Sequence, residues 1–160
     1  MTDDHSMARE AQVTDLPTLA AVIGGSGLFG PEETEGFAAT LPAHFEAEAS
    51  GSGEGRLWLI SNDGGGAALL SPEIGPGVWN LLFLAVRPER RRQGLARALV
   101  AAAEAKVRER NGRMLLIDTS TTPPQEPARA LYEALGYERV GLVPDYWGPG
   151  DSKLTFRRAL

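Results

Sequence analysis

Residues 78–120 constrain this chain more than any other stretch. "VWNLLFLAV" (78–86) is almost unbroken in apolar residues and runs through "RPERRRQG" into a helical pattern from Gly94 to Arg110. A strand that is apolar at successive positions has both faces covered, as in the middle of a sheet. In the helix, Leu95, Leu99, Ala103 and Val107 fall on one side, with Arg97, Glu104 and Arg108 opposite. "NG" at 111–112 ends it, and "RMLLIDTS" (113–120) reads as a second buried strand. Strand, helix and strand at this length predict a parallel crossover unit.

The flanking segments fill out the fold class. "VTDLPTLAAVI" (13–23) predicts a helix with Thr14 as cap and Pro17 near its start, and 31–49 a second one with Phe37, Leu41 and Phe45 on one face. Residues 56–61 and 67–73, joined by "NDGGG", predict a hairpin. "PARALYEAL" (127–135) predicts a short helix with Gly136 just past its end, and 137–147 and 153–159 two last strands. The order is α α β β β α β α β β: an α/β domain with a mixed sheet. Residues 1–11 read as a flexible tail and 12–160 as one domain.

Composition removes several functions. The 160 residues contain no cysteine, which excludes a disulfide scaffold, thiolate zinc and a cysteine nucleophile, and suits a cytoplasmic setting. His5 and His44 lack metal-ligand spacing and read as surface residues, so no metal is expected. No segment has the length of apolar sequence that crosses a membrane, and a net charge of -5 argues against nucleic acid as a partner.

Against that acidic background, Arg87, Arg90, Arg91, Arg92 and Arg97 crowd the start of one helix. The first amides of a helix have no intrahelical acceptor, and the helix dipole draws anions to them. Gly94 allows close backbone approach, and Ala96 keeps the next contact small. Together these make a phosphate-binding turn. It is neither a Walker loop nor a three-glycine dinucleotide fingerprint. A run of arginines is also the usual composition of a solvated face.

The run "RRQGLA", with Arg91, Gly94 and Ala96, resembles the acetyl-CoA-binding motif of the GNAT acetyltransferases. A second block, "PARALYEALGYERVG", is similar to another motif of that family at Ala128, Tyr132, Gly136 and Tyr137. The resemblance extends over about residues 12–160 and implies a GNAT-type acyl-CoA acyltransferase fold, with a mostly antiparallel central sheet flanked by helices. It implies acetyl-CoA as co-substrate and direct acetyl transfer to an amine on a small or amino-acid-like molecule. Alternatives are a protein or peptide acceptor, or a non-catalytic acetyl-CoA sensor. A homodimer stays open.

The resemblance also implies roles. The amides of Arg92, Gln93, Gly94, Leu95, Ala96 and Arg97 would hold the pyrophosphate, aided by the side chains of Arg91, Arg92 and Arg97. The main chain of Leu84, Ala85 and Val86 would pair with the pantetheine arm, and an amide near Ala85 or Val86 would polarise the thioester carbonyl. Tyr132 would protonate the departing thiolate; the alternative is a core tyrosine with a satisfied hydroxyl. Gln125 stands where relatives often have asparagine. Asn80 stands near a position where some relatives have a glutamate base, so no base is assigned; Asp118, Glu73 or a water relay remain open. Asp145, Tyr146 and Trp147 would line the acceptor side or form a strand-end cluster.

Overall fold

The computed structural model describes residues 7–160; His5 and the other residues of 1–6 lie outside them. Seven strands form one sheet in the order β1-β2-β3-β4-β5-β7-β6. They are β1 (Ala8–Glu10), β2 (Leu57–Ser61), β3 (Gly66–Pro72), β4 (Val78–Val86), β5 (Met114–Ser120), β6 (Glu138–Gly148) and β7 (Asp151–Ala159). Every neighbouring pair is antiparallel except β4 with β5, which is parallel. The helices are α1 (Leu16–Gly25), α2 (Pro31–Ala39), α3 (Leu41–Ser50), α4 (Leu95–Glu109) and α5 (Glu126–Ala134). The mixed, mostly antiparallel sheet and the crossover from β4 through α4 to β5 match the sequence reading. No helix among the described residues is long and apolar enough to cross a membrane.

Both faces of the sheet are covered because successive strand residues point to opposite sides. Leu57 and Leu59 of β2 join Leu99, Ala103 and Val107 of α4 in one apolar cluster. Trp58 and Ile60, the alternate residues, join Leu19, Val22 and Ile23 of α1 in the other. Phe83 of β4 packs edge-on against Trp58 and Phe37, which anchors α2 over the sheet.

Two boundaries differ from expectation. Ala8, Arg9 and Glu10 lie within the segment read as a tail, yet pair with Ser61, Ile60 and Leu59. Ala8 is buried, and Arg9 donates to Asp15 at 2.8 Å, fixing the entry into α1. Three residues are too few to display strand alternation. The helix expected over 31–49 is two, α2 and α3, meeting at Thr40. Pro42 has no N–H to donate and its ring crowds the preceding turn, so it serves at the start of a new helix rather than inside an old one. His44 is half-buried against Phe45, and burial lowers its pKa, opposed in part by Glu48.

One buried charge network ties the elements that carry the site. The carboxylate of Glu104 on α4 accepts from the Tyr137 hydroxyl at 2.9 Å and from Arg158 of β7 at 3.0 Å. Arg158 also donates to the Leu135 carbonyl at 2.8 Å, at the end of α5. Burial first, and then the Glu104 carboxylate, push the Tyr137 hydroxyl far above the usual tyrosine range, so it remains a donor. Glu104→Ala strands two donors and is expected to cost about 2 kcal/mol of unfolding free energy, read from urea denaturation. A loss within experimental error would remove the network from the stability account.

Candidate active site

The centre of the sheet is opened by an irregularity in β4. Leu69 pairs with Phe83 and Leu70 with Leu81, so Leu82 is an extra residue, a β-bulge, and it is exposed. The parallel ladder to β5 runs from Val78 with Met114 to Leu81 with Ile117 and stops there. Past the bulge, β4 continues to Val86 while β5 turns its pairing wholly to β7. The gap between the two strands leads toward the start of α4.

The chain after β4 passes through a short turn at Pro88–Arg90 and then through two left-handed residues, Arg92 (φ 61°) and Gly94 (φ 79°). The glycine accommodates this readily; Arg92 does so at a steric cost. The first intrahelical bond of α4 is donated by the Ala98 amide to Gly94 at 3.0 Å, and no side chain caps the helix. The amides of Leu95, Ala96 and Arg97 therefore have no intrahelical acceptor. A Cβ placed on Gly94 meets nothing within 4 Å, so the space beside this residue is open.

A cavity of about 660 Å³ covers this turn. Leu84, Ala85, Val86, Arg91, Arg92, Gly94, Leu95, Ala96, Arg97, Gln125 and Tyr132 all line it. Of the residues expected to bind the coenzyme, Gln93 alone is not on its wall. Its side-chain oxygen instead accepts from Arg90 Nε at 3.0 Å. Arg90, one of the five arginines of the sequence cluster but given no role there, also lines the cavity. It is held by an ion pair with Asp63 in the β2–β3 turn. Partial burial works to raise the Asp63 pKa, but the Gly65 amide, the Ser61 hydroxyl and Arg90 outweigh it, and the net shift is downward. Arg91 reaches the carbonyls of Ser26 and Val86, each at 3.4 Å, linking the α1–α2 loop to the end of β4.

A second cavity, of about 440 Å³, adjoins the first; Gly27, Leu28, Leu84, Gln125 and Tyr132 line both. Its other wall residues include Glu33, Asp118, Asp151 and Trp147. Asp145 and Tyr146 do not line it: Asp145 accepts the Gly150 amide at 2.8 Å, and Tyr146 packs edge-on against Trp147 and under Lys153. Asn80, buried, donates through Nδ2 to both Glu73 and Asp118 at 3.0 Å. Glu73 lies off both cavity walls. Glu33 and Asp151 carried no local sequence signal, since they come from distant elements that meet only in the fold.

Tyr132 stands where the cavities meet. It is 4% exposed, and its ring packs edge-on against Phe156 at 5.5 Å and beside Tyr137. Burial raises its pKa well above the ordinary tyrosine range, so the hydroxyl is protonated at neutral pH. That hydroxyl bonds to no described protein group and is not sealed from solvent. It is thus a donor whose partner must come from the cavities.

The sequence profile of the acetyltransferase (GNAT) family matches residues 27–137. A mouse protein named for N-acetyltransferase family 8, member 5, is 31% identical over 93 residues, which are 54% of this chain; the chain spans 40% of that relative's length. A crystal structure of a GNAT-family protein from Desulfovibrio desulfuricans superposes with a TM-score of 0.84 at 27% identity, covering 95% of this chain and 97% of that one. An aminoglycoside 6'-N-acetyltransferase complexed with coenzyme A shares the fold at a TM-score of 0.72 and 22% identity, with 96% of each chain covered. The profile matches most of the sequence, including both motifs that frame the first cavity, and the chain belongs to the GNAT family of acetyltransferases.

Proposed function

We propose that this protein transfers an acetyl group from acetyl-CoA to the amine of a small molecule. The observation that carries the reading is the first cavity, where the uncapped helix start and four arginines meet the free edge of β4 and Tyr132. Coenzyme A bound to the aminoglycoside acetyltransferase of the same fold supports it. The amides at Leu95–Arg97 and the side chains of Arg90, Arg91, Arg92 and Arg97 take the phosphates. The β4 main chain from Leu84 to Val86 holds the pantetheine arm as an added strand.

Bound in this way, acetyl-CoA supplies the activated acetyl group. The neutral amine forms a C–N bond to the carbonyl carbon as the C–S bond breaks. Tyr132 gives its proton to the departing sulfur, the nitrogen releases its extra proton to water, and solvent reprotonates the tyrosine. The retained, unpartnered hydroxyl favours an enzyme over a sensor that only binds coenzyme.

The test is release of free CoA thiol from acetyl-CoA with a panel of small amines and an N-terminal peptide. Turnover on small amines supports the reading. Acetylation of the peptide alone would transfer the role to protein acetylation, and binding of coenzyme without any turnover would leave the sensor.

A further inference from the structure

The two adjoining cavities carry opposite charge. Arg90, Arg91, Arg92 and Arg97 line the first, with no carboxylate among its wall residues. Glu33, Asp118 and Asp151 line the second, with no lysine, arginine or histidine. Some acidic side chains of the fold pair with cations, as Asp15 does with Arg9 and Asp63 with Arg90. Among the described residues, Glu33, Asp118 and Asp151 form no such pair. Glu33 accepts the Gly30 amide at 2.9 Å, and Asp118 accepts from Asn80 at 3.0 Å and Thr155 at 2.6 Å. Asp151 accepts from Ser120 at 2.5 Å. Every one of those donors is neutral.

The carboxylates come from α2, β5 and the start of β7, so they stand apart on the wall. No three acidic or histidine side chains among the described residues converge as a metal site. One feature beside the charge marks the space as one that receives a ligand. Tyr132, almost fully buried, offers it a hydroxyl with no protein partner. Asn80, which lines neither cavity, supports the wall from behind by donating to Asp118. Trp147 adds an aromatic face suited to a cation.

We propose that the second cavity selects an acceptor bearing two or more amino groups, a di- or polyamine, over a monoamine or an amino acid. The inference rests on the acetyl-transfer reading and narrows it. The nitrogen that attacks must be neutral, so it contributes no charge to balance the wall. The remaining amines, with pKa values near ~10.4, stay protonated at neutral pH and supply that charge. An acceptor carrying a carboxylate meets like charge and is rejected.

The experiment compares n-butylamine, 1,4-diaminobutane and 4-aminobutanoic acid by kcat/KM at low ionic strength, using thiol release. It also measures 1,4-diaminobutane binding to CoA-saturated protein by calorimetry. The diamine is expected to exceed the monoamine by about tenfold or more, with the amino acid poorest, and salt should shrink the gap. Glu33→Gln with Asp151→Asn should bring the diamine-to-monoamine ratio toward one and weaken diamine binding. Should that pair melt early, Glu33→Gln alone serves, since Glu33 lies on the outer helix α2.

Equal use of monoamine and diamine, or a ratio unchanged in a folded variant, would overturn the selection while leaving acetyl transfer intact. Diamine binding that depends on Glu33 and Asp151, without turnover of any amine or peptide, would sustain the charge selection and sink acetyl transfer. Absence of diamine binding and of any diamine preference would refute the selection whatever the turnover.

Discussion

Gly94→Val is expected to bring coenzyme binding below detection in titration calorimetry, whereas Arg91→Ala weakens it by about tenfold or less. Two effects act at Gly94. Its φ of 79° lies in the left-handed region, where a β-branched residue carries strain of about 1–3 kcal/mol. The added side chain also meets no protein atom near its Cβ, and it projects from a residue that lines the same cavity as Leu95, Ala96 and Arg97. The fold can survive while the anion cradle is filled. Arg91 is one of four arginines on the wall, and its guanidinium already engages the Ser26 and Val86 carbonyls. Gly94→Ala should fall between the two. Wild-type affinity in a folded valine variant would show that the helix start does not hold the coenzyme.

Tyr132→Phe is expected to lower kcat at least about tenfold while leaving the coenzyme Kd unchanged. The phenyl ring keeps the edge-on contact with Phe156, and the lost hydroxyl bonded to no described protein group, so packing and stability change little. Burial makes this tyrosine a weaker acid than a solvated one. The same exclusion of water disfavours the departing thiolate and raises its demand for a proton, which keeps the transfer matched. Because the folded-state pKa is raised, the donor form persists through neutral and mildly alkaline pH, and no loss of rate from Tyr132 ionisation is expected below about pH 10. Undiminished kcat, with the chemical step shown to be rate-limiting, would end the acid role for Tyr132.

Much of the fold could be read from periodicity. The run from Val78 to Val86 and the four-residue spacing of Leu95, Leu99, Ala103 and Val107 are long enough to declare a covered strand and an amphipathic helix. Ala8–Glu10 could not be read, because a three-residue edge strand is specified by its partner rather than by its own pattern. The spacing of Phe37, Leu41 and Phe45 suggested one helix where Pro42 begins another; all three still pack on the same side of the sheet. The first cavity was legible because its residues cluster in two short motifs. The bulge at Leu82 and the acidic wall of Glu33, Asp118 and Asp151 were not. A bulge is set by register against β3, and the wall is assembled across 118 positions of sequence from Glu33 to Asp151.

The early end of the β4–β5 ladder has a consequence for the protein's lifetime. Beyond Leu81, β4 has no partner on that side, so the sheet is unfinished at its centre. On the proposed reading the pantetheine arm supplies the missing strand, and folding becomes linked to metabolic supply. Coenzyme at one hundred times its Kd would add about 2.7 kcal/mol to the stability of the folded chain, and a fall in its concentration would withdraw that support. The population open to proteolysis would then rise as the coenzyme pool is drawn down, making the abundance of the protein itself a record of acetyl-CoA availability.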